Sequence, residues 1–223
     1  DSAIWSPDGS RIAYLAEGEP RGGQIWVRWM DAEGAASQIT HATDTPRDIS
    51  WSPDGKFIAF RTRVGSDSDW DISLPGRPDD AEWTKTPYIV ERANYKRDRR
   101  GFIDPGYEHI FVVPADGGPV RQVTHGDYDH GEPVWSPDGQ TVYFSGLLVE
   151  NAEYRWRESD IYALDITTGA TTQLTDRKGP DSGPVVSPDG SMLAFTGNDF
   201  VEQTYIERQL YVMRADGSMM RSV

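Results

Sequence analysis

The fold is decided by the pentapeptide Trp135-Ser136-Pro137-Asp138-Gly139, because this stretch recurs along the chain. Proline fixes φ at the second position of a tight turn, Asp accepts hydrogen bonds from nearby backbone amides, and Gly adopts the left-handed exit. The motif therefore predicts a turn that opens each unit of an internal repeat. The other copies are Trp5 to Gly9, Trp51 to Gly55 and Val186 to Gly190.

The spacing of the copies predicts a fifth, degenerate unit. The four copies begin 46, 84 and 51 residues apart, so the middle gap is nearly twice the other two. The segment Tyr95-Lys96-Arg97-Asp98 keeps the aromatic residue and the Asp of the motif, and it divides that gap into 44 and 40 residues. We therefore predict five units, which begin near Trp5, Trp51, Tyr95, Trp135 and Val186.

Each unit has the pattern of four antiparallel strands. The turn leads into an apolar strand such as Thr141 to Ser145, a polar loop follows, and a third strand such as Asp160 to Leu164 ends in a Gly-containing hairpin before a short fourth strand. A four-stranded sheet of about 40 to 45 residues, repeated around an axis, is typical of a β-propeller blade. We expect an all-β propeller with about five such blades as one domain over residues 1–223, with the motif Trp packed between sheets. The first and last units are incomplete and no initiator Met is present, so we expect a segment of a longer protein with a larger propeller.

Composition excludes several classes of partner. The formal net charge of -14 opposes binding to a phosphate backbone, and no apolar run approaches the roughly 20 residues of a membrane helix. The absence of Cys removes thiolate ligands and thiol nucleophiles, and it fits the cytoplasm, which we favour, as well as the periplasm. We predict neither nucleic acid, membrane nor cofactor as a partner.

Catalytic motifs are absent from the sequence. The Gly-x-Ser-x-Gly elbow of serine hydrolases does not occur, and none of the four His lies in a motif that would make it a base. The acidic stretch Asp67 to Asp71 resembles a calcium loop, but Ile72 and Pro78 stand where such a loop needs Gly and Glu. We therefore expect this segment itself to be non-catalytic.

A cluster of possible metal ligands lies in the linker before the Trp135 motif. Imidazole and carboxylate groups ligate first-row metals, but polar side chains in such linkers also cap turns. We predict no metal and keep as weak candidates His125, Asp127, Asp129 and His130.

Aromatic and basic residues in the longer loops are candidates for contact with a ligand. They either form a binding rim or anchor their own loops. The run Arg92 to Arg100 suits a carboxylate-bearing partner or an acidic neighbouring domain, and it equally suits a solvated strand edge. The substrate-facing candidates are Trp70, Arg97, Tyr154, Trp156 and Tyr205.

The Trp-Ser-Pro-Asp-Gly repeat resembles the one shared by TolB and by the propellers of the prolyl oligopeptidase family of serine peptidases. The stretch Tyr88 to Thr124 discriminates between them. Its elements Ile89-Val90-Glu91-Arg92, Tyr95 to Asp98, Gly101-Phe102 and His109 to Val113 are similar to the mid-propeller of acylaminoacyl-peptidase-like enzymes.

That resemblance implies a parent protein with serine peptidase activity. In such enzymes a propeller, typically of seven blades, lies over an α/β-hydrolase domain of the same chain, restricts access to short peptides and contacts the substrate's N-terminal side. The partners it implies are this hydrolase domain and a peptide substrate; the oligomeric state stays open. No two Glu are neighbours here, so the Glu-Glu pair with which dipeptidyl peptidase IV holds an amine has no counterpart. The alternatives are a TolB-like protein-binding propeller without an enzyme domain, and a sugar- or metal-binding propeller enzyme with chemistry on its axial face.

Overall fold

The computed structural model describes residues 3–31, 34–66, 89–99, 101–155, 157–203 and 205–223. Within these ranges the chain contains eighteen β-strands and one 3-10 turn, Ala152–Tyr154, and no α-helix. No helix in them has the length and apolarity needed to cross a bilayer. The strands form four antiparallel sheets of four strands and one two-stranded hairpin.

Consecutive strands build the first, third and fourth sheets. The first sheet contains β1 (Ile4–Trp5), β2 (Arg11–Gly18), β3 (Gly22–Trp29) and β4 (Ala36–Gln38). The second contains β5 (Arg47–Trp51), β6 (Phe57–Val64), β9 (Tyr107–Pro114) and β10 (Arg121–Gln122), and the hairpin contains β7 (Lys96–Arg97) and β8 (Gly101–Phe102). The third contains β11 (Val134–Trp135), β12 (Thr141–Gly146), β13 (Asp160–Asp165) and β14 (Thr171–Gln173). The fourth contains β15 (Asp181–Val186), β16 (Met192–Gly197), β17 (Gln209–Arg214) and β18 (Arg221–Ser222).

The predicted unit at Tyr95 is wrong. β6 pairs directly with β9 over eight residues, from Phe57↔Pro114 to Val64↔Tyr107. The 84-residue gap therefore contains one sheet with a long insertion between its second and third strands, and Tyr95 precedes the hairpin of that insertion. The described residues accordingly form four four-stranded sheets, instead of the five that the spacing predicts.

The repeated turn has the geometry that its sequence predicts. In the third sheet the Ser136 hydroxyl donates to the Asp138 carboxylate (2.6 Å) and accepts the Thr141 backbone N–H (2.9 Å). Asp138 in turn accepts the Gln140 N–H, and Gly139 has φ of 70°. The same Ser-to-Asp bond occurs in all four copies, so each turn fixes the start of a second strand.

Successive sheets pack face to face through alternate side chains. In β6, Ile58 and Phe60 belong to the core shared with the first sheet, whereas Ala59 belongs to the core shared with the third. In β12, Phe144 faces the second sheet and Tyr143 the fourth. This period of two is what a strand buried on both faces requires.

One edge of the stacked sheets carries the longer connections, and we call it the loop face. Because strand direction alternates, every connection from second to third strand and every linker to the next sheet lies on this edge. The opposite edge carries the short turns. The second-to-third connections are residues 19–21, 65–106, 147–159 and 198–208, and the linkers are 39–46, 123–133 and 174–180.

Candidate functional site

A wide basin opens on the loop face where the insertion of the second sheet meets the corresponding loop of the third. Its volume is about 1070 Å³. The insertion contributes Arg92, β9 contributes Tyr107, the linker contributes Asp127 and Asp129, and the 3-10 turn contributes Glu153. Four parts of the chain therefore converge on one cavity.

Arg92 holds the insertion against the body of the sheets. Its guanidinium lies 4.1 Å from the centre of the Tyr107 ring and donates to the Gly106 carbonyl (2.8 Å). It also lies 3.9 Å from Glu153, whose carboxylate accepts the Ala93 N–H (2.8 Å). Burial raises the pKa of Tyr107, and the nearby Arg92 charge partly opposes this. The phenol therefore stays neutral and available as a hydrogen-bond donor at physiological pH.

The far wall carries an ion pair within one loop. The Arg155 guanidinium donates to both oxygens of Glu158, and this hydrogen bond holds the pKa of Glu158 below its ordinary value. Exposed ion pairs of this kind contribute little to stability but fix side-chain orientation. Both carboxylate oxygens of Glu158 therefore already accept hydrogen bonds from Arg155.

The linker supplies two carboxylates, those of Asp127 and Asp129, to the basin. Asp129 accepts the Glu108 backbone N–H (2.8 Å) through one oxygen. Asp127 is exposed, and within the described ranges it forms no ion pair. The basin is lined by five carboxylates and only two guanidinium groups, so it favours a ligand with a positive charge.

The structure separates the predicted substrate-facing residues. Tyr154 lines the basin and is 69% exposed, Arg97 lies on the β7–β8 hairpin, and Tyr205 is exposed in the loop of the fourth sheet. Trp70 and Trp156 lie outside the described residues. Among the members of this set that the structure describes, only Tyr154 lines the basin.

The weak metal candidates split between the cavity and the interior. Asp127 and Asp129 line the basin, His125 is exposed, and His130 is buried with its Nδ1 3.0 Å from the Glu108 carbonyl. No group of three His, Asp or Glu side chains in the part of the chain that the structure describes is arranged to hold a metal ion.

Sequence reasoning missed Tyr107 and Glu153 as site residues. Tyr107 begins β9 and pairs with Val64, and Glu153 lies in the 3-10 turn and accepts the N–H of Ala93, so both contact residues that are far away in the chain. The available signal was the length of the two loops, since long connections on one edge of a sheet array commonly carry function.

The family model for the dipeptidyl peptidase IV (DPP IV) N-terminal region matches residues 79–200, which is more than half of the chain. The chain belongs to this family. Membership does not supply an amine-binding Glu pair, because no two Glu are adjacent in this sequence.

Curated relatives and solved structures agree with this assignment. The uncharacterized peptidase YuxL of Bacillus subtilis is 31% identical over 163 residues, covering 72% of this chain and 23% of the relative. Acylaminoacyl peptidase of Pyrococcus horikoshii superimposes with a TM-score of 0.72 at 18% identity, covering 100% of this chain and 31% of that one. TolB of Acinetobacter baumannii gives 0.62 at 18% identity, covering 100% and 42%.

These likenesses confirm the predicted all-β propeller fold. The chain is a propeller domain of the dipeptidyl peptidase IV and peptidase family, related to TolB-like propellers. It spans between about a quarter and just over half of the length of the first curated relatives it matches.

Proposed function

We propose that this chain is the non-catalytic propeller portion of a serine oligopeptidase, which gates access to a hydrolase domain and contacts the peptide substrate. The observation that supports the proposal is the acidic basin on the loop face of a peptidase-family propeller. A cavity of about 1070 Å³ accommodates several residues of an extended peptide.

The basin suits the N-terminal ammonium group of a peptide. Asp127 supplies a carboxylate without an ion-pair partner in the described residues, and Asp129 accepts the Glu108 N–H through one of its two oxygens. Tyr107 and Arg92 supply donors for peptide carbonyl groups in the same cavity. Charge-assisted hydrogen bonds of this kind position a ligand more than they bind it tightly.

The parent activity is tested on the intact protein. The coding sequence that flanks this chain should encode one Gly-x-Ser-x-Gly motif, followed by an Asp and a His. A fluorophosphonate should label the Ser of that motif covalently. A full-length protein without such a domain would contradict the proposal.

The contact with substrate needs a separate test. Asp127→Asn should raise KM for peptides with a free N-terminus by roughly two- to fivefold with little change in kcat, and leave N-acetylated peptides unaffected. Glu207→Gln removes an exposed carboxylate elsewhere on the loop face and is the matched control. Equal effects on free and acetylated peptides would rule out the ammonium contact.

The alternative is a TolB-like protein-binding propeller without an enzyme domain. The superposition of the whole chain on TolB is the observation that supports this alternative. If the intact protein contains no hydrolase domain but retains a protein partner on the loop face, this alternative replaces the proposal.

A further inference from the structure

The first strand of the second sheet contains a β-bulge at Asp48. In β5 the register with β6 shifts between Arg47 and Ser50, and Asp48 lies inside the bulge with φ of 55°. A residue other than Gly in this left-handed region carries backbone strain. Asp48 is therefore held in its conformation by the contacts around it.

The fourth sheet forms the same bulge with glycine. In β15 the register shifts between Ser182 and Val185, and Gly183, at the position equivalent to Asp48, has φ of 65°. Glycine adopts this conformation without strain. Asp48 thus occupies a position where the backbone alone favours Gly, and residues in such strained conformations concentrate at functional sites.

Asp48 pairs with an arginine that reaches the linker before the third sheet. One terminal nitrogen of Arg61 lies 2.6 Å from the Asp48 carboxylate, and the other donates to the backbone carbonyl of His130 (3.0 Å). The side chains of Asp48 and Arg61 are 28% and 25% exposed, so solvent screens this pair less than a pair on the surface. Asp48 therefore orients the guanidinium that holds the linker.

The backbone at His130 fixes the linker of residues 123–133. The His130 N–H donates to the Glu108 carbonyl (2.9 Å), and the Asp129 carboxylate accepts the Glu108 N–H (2.8 Å). The bond from Arg61 adds a further hold on the carbonyl side of His130. These contacts restrict the short segment on which the linker carboxylates of the basin lie.

The bulge also reaches the linker through Arg47. Its guanidinium lies 3.7 Å from the Glu108 carboxylate, which Arg63 approaches to 3.4 Å. The Glu108 side chain is only 10% exposed, and a carboxylate buried to this extent requires such partners. Arg47 and Asp48 are thus both connected to the groups that bind the linker.

We propose that Asp48 and Arg61 are positioning residues, which hold the linker so that Asp127 and Asp129 are preorganised in the basin for contact with the substrate. This inference rests on the proposed function. Neither Asp48 nor Arg61 lines the basin, so the pair acts through the linker. Ordering the two carboxylates before a peptide arrives reduces the entropy that binding would otherwise lose. Loosening the pair should therefore weaken binding without altering the chemical step.

Amide hydrogen exchange tests the positioning directly. Arg61→Met keeps the aliphatic stem but removes the bond to the His130 carbonyl, and Asp48→Gly removes the carboxylate at a conformation that Gly adopts freely. Each variant should make exchange at His130 and Gly131 faster by about fivefold, as expected for the loss of one hydrogen bond. The double variant should match the single ones, because the two residues act as one unit.

The fourth sheet supplies the internal reference for this measurement. Exchange in β16 and β17 should stay the same in every variant, which separates the local effect from a loss of global stability. Unchanged exchange in the linker, or effects of Asp48→Gly and Arg61→Met that add in the double variant, would overturn the proposal.

Peptide kinetics on the intact protein test the consequence for the substrate. Both variants should raise KM for peptides with a free N-terminus by roughly twofold or more, with little change in kcat and no change for N-acetylated peptides. Gly183→Asp introduces the same residue type at the equivalent bulge, where an added Cβ meets no atom of the described residues within 4 Å. It is the matched control and should leave both KM and exchange in the linker as they are.

Asp127→Asn separates this inference from the proposed function. If Asp127→Asn raises KM for free peptides but Asp48→Gly and Arg61→Met do not, the positioning role is overturned and the proposed function stands. If none of the three variants raises KM, the substrate contact is overturned together with the positioning role. Equal rises for free and acetylated peptides in the Asp48 and Arg61 variants would also overturn it.

Discussion

The indole N–H of Trp135 donates to the backbone carbonyl of Ser50, 3.2 Å away, across the interface between the second and third sheets. Trp51 makes the equivalent bond to Ile4 in the preceding sheet (3.1 Å). Each bond ends on the residue just before the previous sheet's Trp. The motif Trp thus sets the lateral position of one sheet on the next, in addition to filling the core between them.

Replacing Trp135 should destabilise the protein strongly. The side chain is only 6% exposed, so Trp135→Ala should lower the free energy of unfolding by about 3–5 kcal/mol. Trp135→Phe keeps most of the apolar volume but removes the hydrogen bond to the Ser50 carbonyl, and should cost about 0.5–1.5 kcal/mol. Denaturant unfolding measures both. Tyr154→Ala removes an exposed aromatic residue and should stay within about 0.5 kcal/mol; an equal loss there would contradict the interface role of Trp135.

The Asp carboxylates of the repeated turns should lose their contribution to stability at low pH. Hydrogen bonds from Ser187 and Ser191 lower the pKa of Asp189 from 3.8 to about 2, and Ser6 and Ser10 act in the same way on Asp8. A folded pKa below the unfolded one means that this stabilisation is complete above pH 3.8 and is lost as the pH falls through about 2.

A single hydroxyl tests this cause. Ser187→Ala removes the first donor to Asp189, so the pKa of that carboxyl should rise toward 3.8. NMR titration of the carboxyl carbon measures it directly. The carboxyl of Asp8, in another copy of the turn, should titrate as before, and an unchanged Asp189 would show that the hydroxyl does not hold the pKa down.

The repeat was predictable because its determinants are local. Ser136, Asp138 and Gly139 act within one turn, and their geometry follows from residue type. The strand-four sequence Gln-x-Thr was a further local signal: Gln122 donates to the Thr124 carbonyl and Gln173 to that of Thr175, as Gln38 does to Thr40. Its spacing would have shown that residues 65–106 lack a complete unit.

The insertion was not predictable because it depends on distant pairing. Spacing alone cannot distinguish a degenerate unit at Tyr95 from a long loop, since both fill the same gap. The pairing of Val64 with Tyr107 shows that the gap contains a long loop, and this pairing joins residues that are far apart in the chain. The basin depends on the same pairing, which is why Glu153 and Arg92 could not be recognised as neighbours.

Two buried histidines should make stability depend on pH near neutrality. His109 and His130 have ring centroids 5.0 Å apart at the junction of the second and third sheets. Burial lowers the pKa of both, that of His109 from 6.5 to about 4, with the neighbouring His130 adding to the effect. The unfolded chain therefore binds more protons than the folded one between these values.

The free energy of unfolding should accordingly be largest above pH 6.5 and fall as the pH drops from 6.5 toward 4. His109→Gln removes one of the two groups and should flatten this slope, although it also lowers stability at pH 7. Unfolding curves at several pH values between these limits measure the slope. Equal slopes in the unaltered protein and in His109→Gln would contradict the assignment.

Glu153 should hold the insertion in place over the basin. Its carboxylate accepts the Ala93 N–H and lies 3.9 Å from Arg92, so it links the second sheet's insertion to the third sheet's loop. Glu153→Ala removes both contacts, whereas Arg92 keeps its bond to the Gly106 carbonyl. Amide hydrogen exchange in residues 89–99 should become faster, while exchange in β6 and β9, whose eight-residue register does not involve Glu153, should stay as it was.

Glu150→Ala, which removes an exposed acid in the same loop, is the matched control. If exchange in the insertion is equally fast in the unaltered protein and in Glu153→Ala, the carboxylate does not tether it, and the contacts of Arg92 with the Gly106 carbonyl and the Tyr107 ring are the remaining described ones at this wall.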